Sequence, residues 1–442
     1  MLLFGDEDTQ NAIVESAKGE VKATAPQDEA GGQREAPDSA EDEPDPARRA
    51  SSVGRPGDDS AMRPRSPEPS RLSAEEKGKH AERTNILSLA GIAGGERRGG
   101  TCALAFSPMG RDVAAGFENN TIVVWNATQN AVRHQFIGHE AAVSALVFSP
   151  DGNKLVSGGR DGKVFLWDLP SGGPTSDRQA HDGTVDCVAY SHDGKLFASA
   201  AGDSIVRLWD AETGNPVAQT TEHSGIIMAL TFSPDNERFV TACAEGTAHV
   251  WSTHGATSIC DLTGHEGVIY TISYSPDGRR LVTGSDDGTC RVWDALIGDE
   301  FMTLREADGG QVWAATFSPD GKEVHYVGSE RVLKTFDSYT SDEINSMECG
   351  DKVAMSMTFS SDGRLFAAGG EDHAVTVWDM STRRELVSLP GHTDNVNHVA
   401  FSKDNKYLAT ASDDGTLRKW DLSALLPPAP RTEVRIASCG AC

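Results

Sequence analysis

Four sets of residues in this chain carry the side chains of a hydrolytic triad. They are His139/Ser157/Asp161, His181/Ser199/Asp203, His265/Thr283/Asp287 and His392/Thr410/Asp414. Each set ends on an indole, at Trp167, Trp209, Trp293 and Trp420, and a further unit has Glu245 in place of the Asp. A His held between a carboxylate and a hydroxyl is the arrangement that activates Ser or Thr for attack on a carbonyl. Such a site is single, with one nucleophile and one oxyanion hole. Here the hydroxyl follows the His by 18 residues and the Asp by 22 in every set, so the constellation belongs to a repeated element. No catalytic residue is assigned. Phosphate-cradling glycine loops and zincin motifs are absent. The terminal Cys439-Gly440-Ala441-Cys442 offers two thiols with no second pair, which is no metal site, and lacks the branched aliphatic residues of a prenylation signal. No cofactor and no metal are expected.

The elements that carry these residues repeat. Unit endings fall at Trp125-Asn126, Trp167-Asp168, Trp209-Asp210, Trp251-Ser252, Trp293-Asp294, Phe336-Asp337, Trp378-Asp379 and Trp420-Asp421, spaced by 42 residues with one step of 43. A period of that length is the mark of a repeat architecture. In the fifth unit Val268–Ser273 alternates as a strand and Pro276-Asp277-Gly278 turns the chain. Arg280–Ser285 returns, Asp286-Asp287-Gly288 turns again, Cys290–Asp294 makes a third strand and Phe301–Leu304 a fourth. Period-2 patterning between Asp-Gly turns gives an antiparallel meander. One such sheet cannot cover both of its faces, so the copies must pack face to face in a ring.

The Trp-Asp endings, the Gly-His pairs at Gly138, Gly264 and Gly391, and turn phrases such as Phe148-Ser149-Pro150-Asp151-Gly152 resemble the WD-repeat family over roughly residues 84–422. The resemblance implies an all-β WD-repeat β-propeller, here of eight four-stranded blades; a seven-bladed ring with the first unit displaced is the alternative. It also implies that each His, hydroxyl, Asp and Trp form a structural chain. The Asp accepts from the His, the His meets the hydroxyl, and the hydroxyl meets the indole N–H. Units one, six and seven depart from the pattern: Arg97, Asp308 and Gly350 replace the His, Ala115 and Ala368 replace the hydroxyl, and Phe336 replaces the Trp. Their blades are expected to rely on apolar packing and to be the softer part of the ring.

The ends set the domain limits. Residues 1–83 are rich in Glu, Asp, Ala, Pro, Gly and Ser with almost no aromatics, the composition of a disordered tail. Met1–Phe4 and Ile13-Val14 are short apolar stretches within it, and Arg63-Pro64-Arg65-Ser66-Pro67 has the form of a proline-directed phosphorylation site. The propeller is read as 84–422, and 423–442 as a C-terminal tail. Pro427-Pro428 oppose a fourth strand after the last unit, whereas Asn85–Ala90 matches the fourth-strand phrase Glu385–Pro390. Strand 85–90 is therefore expected to complete the final blade and close the ring.

The net charge of −26 is shared by tail and ring, which argues against direct nucleic-acid or anionic-membrane binding and for basic protein partners. No apolar run is long enough for a membrane span, and Met1–Asp8 lacks the positive region of a signal peptide. Eight scattered cysteines suit buried thiols better than a disulfide frame, so a cytoplasmic location, extending to the nucleus, is expected for a monomeric ring.

In the family, partners usually meet residues three and five after the His and one before the turn Asp. Carried over by position, these include Ile226, Met228, Val268, Tyr270, Trp313, Val353 and Met355 as an apolar arc, flanked by Asp286, Glu371 and Asp413. Aromatic and Met anchors beside carboxylates suit a peptide or helix with apolar and basic side chains. The expected function is a non-catalytic scaffold or adaptor that assembles a multiprotein complex. The alternative is a nuclear recognition subunit for histone-tail or RNA-processing partners.

Overall fold

The computed structural model describes residues 85–88, 99–220, 223–306, 309–349 and 354–425. The acidic segment 1–83, Arg97, Asp308, Gly350, Val353 and the C-terminal cysteines lie outside the described residues, and so does the disorder expected of the two tails. Thirty-two strands form eight four-stranded antiparallel sheets, and the described residues contain no helix. Each sheet is one blade of a propeller, and the eight-bladed reading of the repeat holds. Blades one to seven span 101–137, 143–179, 185–219, 227–263, 269–305, 312–348 and 354–390, each running from the inner strand at the channel to the outer edge. Blade eight takes three strands from 396–421, and its outer strand is Asn85–Ser88, paired antiparallel with Thr416–Lys419.

The turn phrases fold for local reasons. In blade two Ser149 Oγ donates to Asp151 and accepts from the Lys154 amide at 2.9 Å, while the Asp151 carboxylate accepts from the Asn153 amide at 3.0 Å. Gly152 closes this turn at φ +72°, a left-handed conformation that costs glycine little. Asn236 and Asn405 fill the same position at φ 64° and 59°, the next best residue type there. These turns fix which residues face the neighbouring blade.

Blades then lock together by a small-into-large fit. In seven of the eight blades the second residue from the end of the second strand is Gly or Ala, and it receives a branched residue from the next blade's inner strand. A Cβ added at Gly158 would lie 2.4 Å from Val185 Cγ1, and one at Gly116, Gly284 or Gly369 would meet Val143, Val312 or Val396 at 2.7–2.9 Å. Ala200 with Ile227, and Ala242 with Ile269, make the same fit within the apolar clusters of the following seams. Val143, Val185, Ile227, Ile269, Val312 and Val396 are all fully buried.

The seam between blades six and seven reverses this pattern. Val327 stands where the other blades have Gly or Ala, and Ala354 where they have Val, Ile or Thr. Adjacent inner strands pack closely all round the ring except here. The channel cavity, about 420 Å³, extends into this seam against Ala315, Tyr326, Val327, Met357 and Phe359. Apolar side chains still bridge it: Val327, Leu333, Met357, Phe366 and Trp378 form one buried cluster.

The fit yields a test. Gly158→Val should cost about 1–3 kcal/mol by overpacking against Val185. Combining it with Val185→Ala should recover part of that loss, with a coupling of about 1 kcal/mol or more in a denaturation double-mutant cycle. Strictly additive losses would show that the two side chains do not share the space.

Candidate functional site

The four triad-like sets come together in the structure. His139 Nδ1 lies 3.1 Å from Asp161, its Nε2 2.8 Å from Ser157 Oγ, and Trp167 Nε1 donates to that oxygen at 2.9 Å. For His181 the distances to Asp203 and Ser199 are 3.0 and 2.7 Å, with Trp209 donating to Ser199 at 2.9 Å. His265 reaches Asp287 at 2.9 Å and Thr283 at 2.7 Å, and Trp293 donates to Thr283 at 2.8 Å. His392 reaches Asp414 at 3.0 Å and Thr410 at 2.7 Å, and Trp420 donates to Thr410 at 3.0 Å. Trp N–H into hydroxyl, hydroxyl into Nε2 and Nδ1–H into carboxylate leaves every group satisfied. Asp161 also accepts from the amides of Glu140 and Lys163, so it ties the loop before the inner strand to the turn beyond the second strand. All four hydroxyl-bearing residues are fully buried, out of reach of any substrate.

The variants of this chain show its limits. In blade four His223 meets Thr241 at 2.6 Å and Trp251 donates to Thr241 at 2.8 Å. Glu245 bonds Ser224 instead, and His223 Nδ1 is left without a partner. Burial, with His249 alongside, pushes the His223 pKa down to about 3. In blade one Ala115 offers no oxygen and buried Trp125 Nε1 has no partner. Blade six replaces the polar chain with Tyr326 stacked on Phe336, ring centres 5.6 Å apart. Beside them Lys334 bridges Glu306 and Glu330, and burial pushes Glu306 up to about 7.

The mouth of the channel is built by bulges. Every inner strand breaks register at one residue: Cys102, Ser144, Asp186, Met228, Tyr270, Trp313, Met355 and Asn397. A bulge re-aims its side chain, and repetition places these eight at equivalent positions round the mouth. Val268, Tyr270 and Trp313 pack as one cluster with Met228 and Ala244 against it. Tyr270 Oη donates to Asp286 at 3.2 Å, Gln311 donates to the same carboxylate, and Trp313 Nε1 donates to Gln311 Oε1 at 2.9 Å.

Tyr270 and Trp313 are only 8% and 7% exposed, so the large rings form a rigid floor and not free anchors. Ile226, Met228, Asp286, Glu371 and Asp413 are half-buried around it, and Asn397 donates to Asp413. Val353 and the Met355 side chain are not among the described parts. Across the mouth, burial pushes Asp186 up to about 7 against the pull of Arg160. The bulges, and the part Gln311 plays in joining two rings through Asp286, were not read from the sequence. The one signal for the latter was a Gln two residues before a Trp.

A ring of WD-type blades with a buried polar chain in most of them defines a class before any comparison is made. Segments 95–126, 130–168, 172–210, 214–252, 256–294, 330–379 and 383–421 match the family described as WD domain, G-beta repeat. The chain belongs to the WD-repeat family. Residues 295–329, where blade six begins, are matched by no segment, which accords with the loss of the polar chain there. No curated protein matches the chain. Among 1917 matching chains of solved structures is the crystal structure of the computationally designed Ika8 protein. It is 26% identical, covers 73% of this chain and 96% of its own, and superposes with a TM-score of 0.65. WD-repeat propellers are commonly platforms for protein interaction and are generally non-catalytic.

Two measurements follow from the polar chains. Ala115→Ser gives Trp125 Nε1 an acceptor and should stabilise the ring by about 1 kcal/mol in chemical denaturation; a loss would show that the pocket has no room for the oxygen. Burial lowers the His325 and His398 pKa values to about 4, and His223 lower still. Each unfolded His protonates near 6.5, so their contribution is complete above that pH and is lost as pH falls towards 4. Each contributes a slope of about 1.4 kcal/mol per pH unit in this window. Asp186 and Glu306, raised to about 7, act in the opposite direction but are outnumbered. The melting temperature should therefore fall steadily from pH 6.5 to 4, and a flat or rising profile would contradict the burial of neutral histidines.

Proposed function

We propose that the chain is a non-catalytic scaffold or adaptor that assembles a multiprotein complex, with the channel mouth as its principal docking face. The observation that carries this reading is the Tyr270–Asp286–Gln311–Trp313 chain. It holds an apolar floor rigid beside carboxylates, so a partner loses little ordering free energy on this side of the interface. Ile226 and Met228 supply apolar contact and Val268 backs the floor, and Val353 and Met355 are assigned to the arc by their place in the repeat. Asp286, Glu371 and Asp413 suit a Lys or Arg of the partner. The ligand class is a peptide or helix with apolar and basic side chains, met by a single ring in the cytoplasm or nucleus. Direct nucleic-acid or membrane contact has no part in this reading.

Basic tails of histone type fit the same carboxylates, which favours a nuclear recognition subunit as the second reading. Affinity purification of the full chain with mass spectrometry separates the two by the partners recovered. Met228→Ser combined with Asp286→Asn should then lower recovery of the main partner about tenfold or more, the scale of a hot-spot loss, while circular dichroism shows the ring still folded. Undiminished recovery would remove the channel mouth from the interface.

A further inference from the structure

The loops of the ring fall on two faces. The His loops and turn carboxylates lie on the face of the channel mouth. The Ser-Pro-Asp-Gly turns and the turns after the Trp-Asp endings lie on the other, because each antiparallel strand carries the chain across. On that second face the outer strands also break register. The bulge residues there are Val217, Ile259, Phe301 and Ile344 in blades three to six. They are 53%, 42%, 52% and 41% exposed, where an edge strand would ordinarily present polar groups. In blades one and two the equivalent residues are Arg133 and Thr175.

The turns beside the outer strands extend this apolar belt. Leu296, Ile297 and Tyr339 are 56%, 64% and 60% exposed. The blade-five turn is seated on the blade-four strand, since a Cβ at Gly298 would lie 2.8 Å from the Asp261 carbonyl and 3.3 Å from Cys260 Cβ. Arg280 in turn lies 4.2 Å from the Tyr339 ring centre and donates to the Ser338 carbonyl, joining blade five to the blade-six turn. The turns of blades five and six are thus seated against the blade before, which sets exposed apolar side chains along the rim of adjacent blades, and apolar patches mark interaction sites.

Acidic charge is concentrated on part of this belt. Segments 252–263, 294–305 and 337–348, the turn and outer strand of blades four to six, carry eight Asp and Glu and a single Arg. The matching segments of blades one, two, three and seven carry six acids and four arginines. Seven of the eight acids lie on blades five and six, so apolar and acidic residues coincide there, with Asp261 the one acid of the blade-four segment. The acidic segment 1–83 of the chain is of the wrong sign to cover them, and a second copy would bring the same negative rim.

We propose that the rim of blades four to six, on the face opposite the channel mouth, docks a basic amphipathic helix of a partner protein. The outer edge is interrupted at the residues that present the apolar side chains, so a partner is read by side chains and not by strand addition. Phe301 and Ile344 serve as the apolar contacts, and Asp299, Asp342 and Glu343 receive Lys or Arg. This surface is independent of the channel mouth and would stand if that reading failed.

A labelled Leu/Lys amphipathic helix about five turns long is the probe, titrated into the full chain by fluorescence anisotropy. The same helix with Ser for Leu, and with Glu for Lys, are the controls. The Leu/Lys helix should bind at least about tenfold more tightly than either control. Hydrogen exchange should show protection of the outer strands of blades four to six. Phe301→Ser with Ile344→Ser, and separately Asp342→Lys with Glu343→Lys, should each weaken binding at the rim about tenfold, whereas Thr175→Ala at the equivalent position of blade two should not. These side chains are exposed, so unchanged melting temperatures are expected and verify the fold.

Binding indifferent to the rim variants, equal affinity for the Ser control, or protection at the channel mouth with none at the rim would each overturn the proposal. So would a dimer in light scattering that Phe301→Ser with Ile344→Ser dissolves, which assigns the rim to a second copy. Crosslinks between segment 1–83 and the rim would assign it to the chain itself and overturn it equally.

Discussion

A blade of this protein cannot exist alone, and what makes it part of a ring is the fit of one branched side chain into the space above one small residue. Val185 over Gly158 and Val312 over Gly284 bring neighbouring sheets so close that even a methyl group would collide. The contact repeats at a fixed place in the 42-residue period, and it sets the angle from blade to blade. Apolar burial then follows, because the sheets are near enough for their remaining side chains to interdigitate. Where Val327 replaces the small residue, the channel cavity spreads into the seam between Val327, Met357 and Phe359.

The polar chains have a different task. They hold the His loop and the Asp turn of each blade at fixed height, and so position the bulge residue between them. The two tasks are coupled in this sequence. Blade six lacks the His–hydroxyl–Trp chain and stacks Tyr326 on Phe336 instead; the bulk of Tyr326 and Val327 on the same strand is what the next blade must accommodate. Blades one and seven keep the close seam because they retain Gly116 and Gly369, though they also lack the full chain. The price of losing it is visible as the orphaned Trp125 Nε1 in blade one and the orphaned His223 Nδ1 in blade four, where a carboxylate one methylene longer bonds its neighbour instead.

Much of this was legible in the sequence, for identifiable reasons. The period, the turn phrases and the Trp-Asp endings fix the strands because they act locally, through hydroxyl-to-carboxylate turns and positive φ. Pairing of Asn85–Ser88 in the last blade could be read from its likeness to Glu385–Pro390, since strands at equivalent positions bury equivalent faces. The channel mouth was legible only as positions. That Tyr270 and Trp313 would be covered, and joined through Asp286 and Gln311, depends on side chains from two blades meeting across a seam, which no local pattern encodes. The rim of blades four to six was hidden for a related reason. Ile259, Phe301 and Ile344 sit in strands that alternate as if buried, and only the register break at each turns them outward.

The seating of Asn85–Ser88 against Thr416–Lys419 has a consequence for synthesis. The strand that leaves the ribosome first among all those of the ring has no partner until the one that leaves last has emerged. Every blade from the first to the seventh can form and stack as it is made, but the circle stays open at one edge until Thr416–Lys419 has emerged. Completion thus waits on that last strand, and in the interval the nascent chain is at its most exposed to quality-control factors that recognise unpaired strand edges.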